Sequence, residues 1–344
     1  MNGLISLLRE QKGVLMVGAG SSAIVGYPLW KELIEELGNK FTPEPSETSS
    51  EDLVKDSDKI KENISQSGRL SEYYKFIDRI FQPRHDSDNF TDFHCTLLKL
   101  GFCGITTTNY DEVLEYAAGA AYEGEGYLRC DPIDLCDESK RYRVHEYLRS
   151  LSPDNPHNKI LHLHGCHTNP QGIILTEEDY LKKYGMMNPD TSSTKGRTLD
   201  TLHRKVIWSL LVMHSLVFVG FSMDDPFFMN TLEIVQKDFS LDSDPVHFAI
   251  MGYSSDDERD EIERKLRSKG IQTVFYYAPK DENGIADHGG LQNLVFHLQA
   301  LLKEEHPKPT ERRVEKTESK KITKPPEVGF PSLDEINQKT LGLY

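Results

Sequence analysis

The sequence has few cysteines, no long apolar run and no excess of positive charge, and each absence excludes a class of protein. Its five cysteines are scattered and include no Cys-x-x-Cys pair, which argues against a disulfide framework and a structural zinc ribbon. No apolar stretch approaches membrane-spanning length, and residues 1–12 have the pattern of an amphipathic helix rather than a signal peptide. A net charge of −15 disfavours binding to nucleic acid or anionic membranes. We therefore expect a cytoplasmic protein with no membrane and no nucleic-acid partner for its core.

The second half of the sequence contains a regular alternation of predicted strands and helices. Short buried strands are predicted at residues 215–220, 246–251 and 271–277, with helices between them. Earlier strands are predicted at 13–17, at the threonines ending in Thr108, at 159–165 and at 172–176. Such alternation implies right-handed crossovers and an α/β fold with a doubly wound parallel sheet, of the Rossmann-like class. Ligands bind these sheets at the carboxyl ends of the strands.

Composition divides the chain into a core, a helical insertion and a tail. Residues 1–303 are assigned to the α/β domain, and the stretch from about 41 to 100 is expected to be a helical layer over the sheet. Residues 304–326 hold four prolines, seven Lys or Arg and five Glu, so we expect a flexible linker. Apolar side chains return in residues 328–344, which we interpret as a docking segment for this chain or for a partner.

The motifs gather around residues 105–111, ITTTNYD. A strand there runs into a helix that is predicted to open at Tyr110, so Asn109 lies where strand, turn and helix N-terminus meet. The amide of Asn109 suits a hydroxyl or a water, and Asp111 can accept a hydrogen bond from a ribose or cap the helix. Taken alone, this stretch is explained equally well as a plain helix N-cap.

Three further strand ends carry residues suited to a nucleotide. The first strand leads into GAGSSA at residues 18–23, where Gly18 and Gly20 allow a tight turn and close approach to a pyrophosphate. A purely structural turn has the same pattern, and the usual ribose-binding carboxylate is missing from its expected place. The strand at 159–165 ends in His164 and Gly165, and the strand at 215–220 continues into VGFSMDD at 219–225.

In this combination and order, the four motifs resemble those of the sirtuin-like (SIR2-like) family, whose Rossmann domain binds NAD. The resemblance extends over roughly residues 10–300, with close matches at the motifs alone. It implies that Asn109 faces the nicotinamide ribose and its water, and that His164 is the catalytic base on that ribose. The positions that the resemblance implies for NAD binding are Gly18, Ala19, Gly20, Ser21, Ser22, Thr108, Asp111, Gly220, Ser222 and Asp225, with Asp224 as the alternative to Asp225.

Two departures from the deacylating sirtuins favour hydrolysis of NAD. Their zinc module with paired Cys-x-x-Cys is missing, and the acidic residue and arginine after their glycine loop are replaced by GYPLW at residues 26–30. The helical insertion resembles instead the bacterial SIR2-like NADases of anti-phage defence, which deplete NAD in the infected cell. The resemblance implies an NAD glycohydrolase without a metal. Cleavage of the nicotinamide–ribose bond passes through an oxocarbenium-like state, which a positioned water and a base near neutral pH assist.

Other interpretations remain open at this stage. A Rossmann pocket could sense NAD or an ADP-ribose derivative and regulate a partner, although the presence of both Asn109 and His164 favours catalysis. A protein deacylase is disfavoured by the missing zinc pairs. His162, His164 and His167 could form a metal cluster, but the sequence shows no nearby carboxylate or cysteine pair to complete it, and His162 is interpreted as a core histidine.

A free NAD hydrolase would kill the cell that makes it, so the activity is expected to be conditional. The resemblance implies a homo-oligomer, and a partner such as a HerA-type ATPase or an Argonaute-type protein. Nothing in the predicted Rossmann core looks like a switch. We therefore expect control to lie in the helical insertion or in the tail.

Overall fold

Seven strands pair in one sheet in a computed structural model that describes residues 1–42, 53–84, 89–122, 131–152, 159–185, 201–239, 245–282 and 284–304. The strands are β1 Gly13–Val17, β2 Gly104–Thr107, β3 Ile133–Asp134, β4 Ile160–His162, β5 Ser215–Val219, β6 His247–Tyr253 and β7 Ile271–Tyr277. Their order is β3-β4-β2-β1-β5-β6-β7, and every neighbouring pair is parallel. The predicted doubly wound parallel sheet is confirmed.

Thirteen α-helices accompany the sheet within the described residues. They are α1 Asn2–Arg9, α2 Ala19–Ser22, α3 Trp30–Phe41, α4 Leu53–Gln66, α5 Leu70–Phe81, α6 Asp92–Leu98, α7 Val113–Tyr122, α8 Arg141–Ser150, α9 Glu177–Tyr184, α10 Leu202–Met213, α11 Pro226–Phe239, α12 Asp256–Arg267 and α13 Gly289–Lys303. In the part of the chain that the structure describes, no helix has both the length and the apolar character needed to cross a bilayer.

Both faces of the sheet are buried, because successive side chains of a strand point to opposite sides. Val14 and Met16 of β1 lie in one apolar cluster, to which helices α8 to α12 contribute. Leu15 and Val17 lie in a second cluster on the other face, to which α1, α6, α7 and α13 contribute. The continuous apolar run of β1 is therefore that of a central strand covered on both sides.

Helices α3, α4 and α5 form a helical layer with an apolar cluster of its own. The cluster is built from one face of each helix and includes Leu33, Ile60 and Ile77. It also takes in Ile173 and Leu175, which follow β4. Helix α6 packs elsewhere, because its Phe93 lies in the cluster that α1 and α13 cover. The helical layer therefore packs against residues 173–175, which follow β4 and His164 along the chain.

Residues 172–176, predicted to be a strand, pair with no strand among the described residues. The backbone there is satisfied in other ways, since the Ile174 N–H donates to the His164 carbonyl at 2.9 Å. The Ile174 carbonyl accepts from the Tyr110 hydroxyl at 2.6 Å, and the Leu175 carbonyl accepts from the Ser57 hydroxyl at 3.0 Å. Side chains therefore replace a neighbouring strand, and the predicted strand is wrong.

The other differences concern the ends of elements and short elements. The helix predicted to open at Tyr110 begins at Val113, because Asp111 Oδ1 accepts the Val113 N–H at 3.0 Å and ends the turn there. Helix α4 and the two-residue strand β3 were not predicted. The predicted linker and docking segment, from residue 305 onward, lie outside the described residues.

Candidate active site

The four strand-end motifs follow four strands that are neighbours in the sheet, β4, β2, β1 and β5. Because these strands are parallel, their carboxyl ends meet at one edge, where ligands of such folds bind. His164, Asn109, Gly18 and Gly220 therefore lie along a single edge of the sheet.

The glycines of two motifs allow two loops to approach each other closely. The Gly18 N–H donates to the Val219 carbonyl at 3.0 Å, and the Gly20 N–H donates to the Gly220 carbonyl at 2.9 Å. Gly220 has φ +64, and a Cβ there would lie 2.6 Å from the Ser21 backbone nitrogen. A Cβ on Gly20 would lie 3.0 Å from the Gly220 carbonyl oxygen. These glycines are thus required for contact between the loops, in addition to their predicted role at a pyrophosphate.

Asn109 is held by hydrogen bonds that use both hydrogens of its side-chain amide. Its Nδ2 donates to the Gly18 carbonyl at 3.2 Å and to Ser22 Oγ at 2.9 Å. Ser22 Oγ in turn donates to Asp111 Oδ1 at 3.0 Å, so it can only accept from Asn109, which fixes the orientation of the amide. Asn109 Oδ1 is left buried without a partner among the described residues.

An unpartnered buried carbonyl oxygen costs free energy unless a ligand or water donates to it. Asn109 is only 6% exposed, so its Oδ1 is shielded from bulk solvent at the edge of the sheet. The group that this oxygen accepts from must carry an O–H or N–H, as a ribose hydroxyl or a water does. Asn109 can therefore orient a hydroxyl, but in this orientation it has no N–H left to donate.

Asp111 supports this arrangement from the start of α7. Its Oδ1 accepts from Ser22 and from the Val113 N–H. Burial raises the pKa of Asp111, and these two hydrogen bonds act in the opposite direction. The structure thus gives Asp111 the helix-capping role that the sequence left open, together with a second role in holding Ser22.

His164, which follows β4, is 4% exposed and lies against three polar side chains. Its Nε2 is 2.8 Å from the Tyr184 hydroxyl and 3.3 Å from Asp225 Oδ2. The Tyr180 hydroxyl donates to the same Asp225 oxygen at 3.1 Å. Burial lowers the pKa of His164, and the Asp225 carboxylate opposes this shift only in part. The imidazole is therefore neutral near pH 7, the form that can accept a proton.

Asp225 is itself fixed at the N-terminus of α11. Its Oδ1 accepts the Phe227 and Phe228 N–H groups, each at 2.9 Å. The sequence assigned Asp225 to NAD, and the structure places its carboxylate between His164 and this helix end. Asp224 points away and pairs with Lys265 at 3.5 Å, with both side chains more than half exposed.

Helix α9 covers His164 and is held in turn by the helical layer. Tyr180 and Tyr184 are four residues apart and so lie on the same face of the helix, toward His164 and Asp225. Lys61 of α4 donates to both carboxylate oxygens of Asp179, at 2.7 and 2.9 Å. The sequence missed this cover, although the spacing of the two tyrosines on a capped helix was a signal for it.

The three histidines considered as a metal cluster have separate partners. His162 contacts Glu115 at 2.8 Å, and His167 lies between Asp78 at 2.9 Å and Glu112 at 3.2 Å. Among the described residues, no group of three or more His, Cys, Asp or Glu is arranged to hold a metal ion. The local sequence does not reveal these carboxylates, because Asp78 of α5, Glu115 of α7 and Glu112 just before α7 are distant from the histidines along the chain.

The remaining predicted NAD contacts are distributed along the same edge. Ser21 Oγ donates to the Gly18 carbonyl at 2.9 Å, and the Thr108 N–H donates to the Val17 carbonyl at 3.3 Å. Ala19 is half-buried in the glycine loop, and Ser222 is exposed just beyond Gly220. The structure thus joins the β1, β2 and β5 motifs directly through hydrogen bonds, and joins His164 to the β5 motif through Asp225.

A family profile described as a SIR2-like domain matches residues 104–274. The match begins at β2 and ends in β7, so it contains Asn109, His164 and Gly220. A solved structure described as "Structural Basis for the Mechanism and Regulation of Sir2 Enzymes" covers 88% of this chain and 96% of its own, with 12% identity and a TM-score of 0.42.

Three curated relatives have comparable similarity to this chain. Defense-associated sirtuin 2 of Bacillus subtilis is 22% identical over 253 residues, which are 69% of this chain and 21% of the relative. NAD(+) hydrolase ThsA of Acinetobacter baumannii (strain 532279) is 25% identical, over 65% of this chain and 39% of its own length. ThsA of Bacillus cereus (strain MSX-D12) is also 25% identical, over 63% of this chain and 38% of its own length.

This chain therefore spans about two fifths or less of the length of the relatives it matches. The family match contains three of the four strand-end motifs, those of Asn109, His164 and Gly220. Residues 104–274 of this chain match a SIR2-like domain, the family that its motifs resemble.

Proposed function

We propose that this chain binds NAD along the edge formed by β4, β2, β1 and β5 and hydrolyses its nicotinamide–ribose bond. The observation that carries the proposal is the buried, unpartnered Oδ1 of Asn109 at this edge. The ThsA relatives, which are named NAD(+) hydrolases, support the same activity. We further propose that this activity serves anti-phage defence, which the relative named defense-associated sirtuin 2 supports.

The chemistry follows from the protonation states at the site. Water adds to the ribose carbon as the bond to nicotinamide breaks, so NAD and water give nicotinamide, ADP-ribose and one proton. Asn109 Oδ1 accepts a hydrogen bond from the water or from a ribose hydroxyl and orients it. His164, kept neutral by burial, takes the proton. The glycine loop, Gly18 to Ser21, binds the pyrophosphate, with Ser22 and Thr108 beside it. Gly220 and Ser222 line the adenosine half.

Asp225 determines which ring nitrogen of His164 acts. An ionised carboxylate can only accept, so the Nε2 atom that faces Asp225 carries the hydrogen. The Nδ1 lone pair is then the basic one. Asp225 thereby favours the tautomer that catalysis needs and stabilises the imidazolium that forms.

A second function is supported by one observation, the cover over His164. A module that only senses NAD or an ADP-ribose derivative would need the glycine loop and Asn109, but no accessible base. Tyr184 and Tyr180 close the Nε2 side of His164 in the structure. In the hydrolase, the same cover would keep activity conditional, with the helical layer holding α9 through Lys61 and Asp179.

Control and assembly belong to the same proposal. We propose that the chain acts in the cytoplasm as a homo-oligomer, with a HerA-type ATPase or an Argonaute-type protein as a possible partner. The residues after 304 would provide the tether, because a charged linker followed by apolar anchors gives both reach and a contact. The resemblance to defence NADases and the need for conditional activity support this part of the proposal.

Consumption of NAD by the purified chain tests the activity, alone and with the protein encoded beside it. Asn109→Ala and His164→Ala should each lower the rate by roughly 10²-fold or more, the scale of a lost general base or positioned water. Asn63→Ala and His145→Ala are matched controls, because both residues are exposed on helices outside the site. NAD binding by calorimetry without hydrolysis under any of these conditions would favour the sensor. Full activity in folded Asn109→Ala would refute the site assignment.

A further inference from the structure

His162 and Glu115 form a buried pair that contacts the main-chain carbonyl of Asn109 through His162. His162 is the last residue of β4 and Glu115 lies in the first turn of α7, and both side chains are fully buried. His162 Nε2 is 2.8 Å from Glu115 Oε1. On the other side of the ring, His162 Nδ1 is 2.8 Å from the main-chain carbonyl oxygen of Asn109.

The hydrogen-bond partners determine the charge on His162. A carbonyl oxygen can only accept, and so can an ionised carboxylate, so both ring nitrogens must donate and the ring is an imidazolium. Burial lowers the pKa of His162, but the charge and hydrogen bond of Glu115, with the Asn109 carbonyl and Asp111, raise it more. The Cys166 thiol that faces Glu115 stays neutral, because burial raises its pKa.

Asn109 is restrained at every polar group except the one that would receive the ligand. Its N–H donates to Thr107 Oγ1 at 3.0 Å, its carbonyl accepts from His162, and its side-chain amide donates to Gly18 and Ser22. The remaining group is Oδ1. Of the groups that make these restraints, His162 is the only one that carries a charge.

We propose that His162 and Glu115 are positioning residues that hold Asn109 in the orientation needed for NAD hydrolysis. This inference rests on the proposed function of Asn109. A buried ion pair is weak evidence for stability, because an apolar pair of similar volume stabilises a core as well or better. The pair does, however, supply a directed N–H to the carbonyl of the residue whose oxygen would orient the reacting hydroxyl.

The test uses the double variant His162→Leu/Glu115→Met, which removes both charges and leaves neither buried alone. The full chain should remain folded, with a urea midpoint lowered only by the lost hydrogen bond to the Asn109 carbonyl, and its KM for NAD should be unchanged. Its kcat should fall about tenfold to a hundredfold, because the carbonyl of Asn109 loses its donor and the side chain can shift. A lower midpoint with an unchanged kcat would overturn the inference and leave the pair a purely structural one.

Glu115→Gln is the conservative variant that should restore activity. Its amide can donate to the Nε2 of a neutral His162, and Nδ1–H can still reach the Asn109 carbonyl. We expect at least a third of the wild-type kcat at pH 7.5. A loss of kcat in Glu115→Gln as large as that of the double variant would contradict the positioning role.

Two further results separate this inference from the proposed function. If Asn109→Ala abolishes hydrolysis and the double variant does not reduce it, only the positioning role is wrong. Nitrogen-15 NMR of labelled histidine does not depend on activity, and it should show both ring nitrogens of His162 protonated at pH 7.5. A His162 ring without a proton on Nδ1 would overturn the inference even in a chain that hydrolyses no NAD.

Discussion

Substitution of Gly220 by alanine tests whether the two glycine loops depend on close contact. Gly220 and Gly68 both have positive φ, +64 and +71, so an alanine at either position is strained by roughly 1–2 kcal/mol. Part of this cost is offset by about 0.4–1 kcal/mol, because alanine reduces the freedom of the unfolded chain. Gly68→Ala, whose Cβ would meet nothing within 4 Å, should therefore lose only about 1 kcal/mol.

The Gly220 Cβ would meet backbone rather than open space. It would lie 2.6 Å from the Ser21 nitrogen and 3.1 Å from the Gly20 carbonyl carbon, so one loop must move. Overpacking of this kind adds about 1–3 kcal/mol, and Gly220→Ala should lose about 2–4 kcal/mol in all. Since Ser22 on the displaced loop accepts from Asn109, NAD affinity should fall at least tenfold as well, which is about 1.4 kcal/mol.

Urea unfolding and calorimetry with NAD measure the two effects on the same samples. Gly68→Ala is the matched control, with the same backbone strain and no neighbour at the loop. We expect a midpoint clearly lower for Gly220→Ala than for Gly68→Ala, and weaker NAD binding in Gly220→Ala alone. Equal losses of stability in the two variants, with unchanged NAD affinity in both, would refute the reasoning about the loop contact.

The remaining predictions concern the base and the buried histidines. Asp225→Asn should lower kcat for NAD at least tenfold with little change in KM, because the tautomer of His164 is no longer fixed. Asp224→Asn, which changes the exposed neighbouring residue, should behave as the wild type. A loss of NAD affinity in Asp225→Asn would instead support the predicted role of Asp225 in NAD binding. Burial lowers the pKa of His94 and His247 to about 4 in the folded chain, so the unfolded chain binds more protons between pH 6.5 and 4. The contribution of these two histidines to the free energy of unfolding should thus be fully retained above pH 6.5 and fall toward pH 4, by up to about 1.4 kcal/mol per pH unit for each histidine. The urea midpoint of unfolding at pH 7, 6 and 5 measures this loss of stability. A steeper dependence of the midpoint on pH in His247→Gln than in the wild type would contradict the prediction.

The sequence by itself determined the elements whose signals are local. The apolar run at residues 13–17 and the alternation after residue 201 predicted strands and helices near their observed bounds. Thr176 and Asp179 have the spacing of a capping box, and the structure has both of its hydrogen bonds. The alternation of strands and helices was enough to predict the parallel sheet, and the order of the motifs was enough to find the resemblance to the SIR2-like family. These features need only the period of a strand or helix and the chemistry of its first turn.

Tertiary structure decided which residues meet. His162 and His164 lie two residues apart in the sequence, yet one pairs with Glu115 of α7 and the other with Asp225 before α11. No local pattern connects positions separated by more than forty residues, because the order of the strands in the sheet brings them together. The contact of Gly220 with the Gly20 loop arises in the same way, since β1 and β5 are neighbours in space only.

Tertiary contacts also overrode a local preference at residues 172–176. The apolar, β-branched sequence GIILT favours a strand. In the structure, however, two of its backbone carbonyls accept hydrogen bonds from the side-chain hydroxyls of Tyr110 and Ser57. Its apolar side chains instead attach the helical layer to the chain that follows His164. A segment becomes a strand only where a neighbouring strand is free to pair with it, and that condition is set by the whole fold.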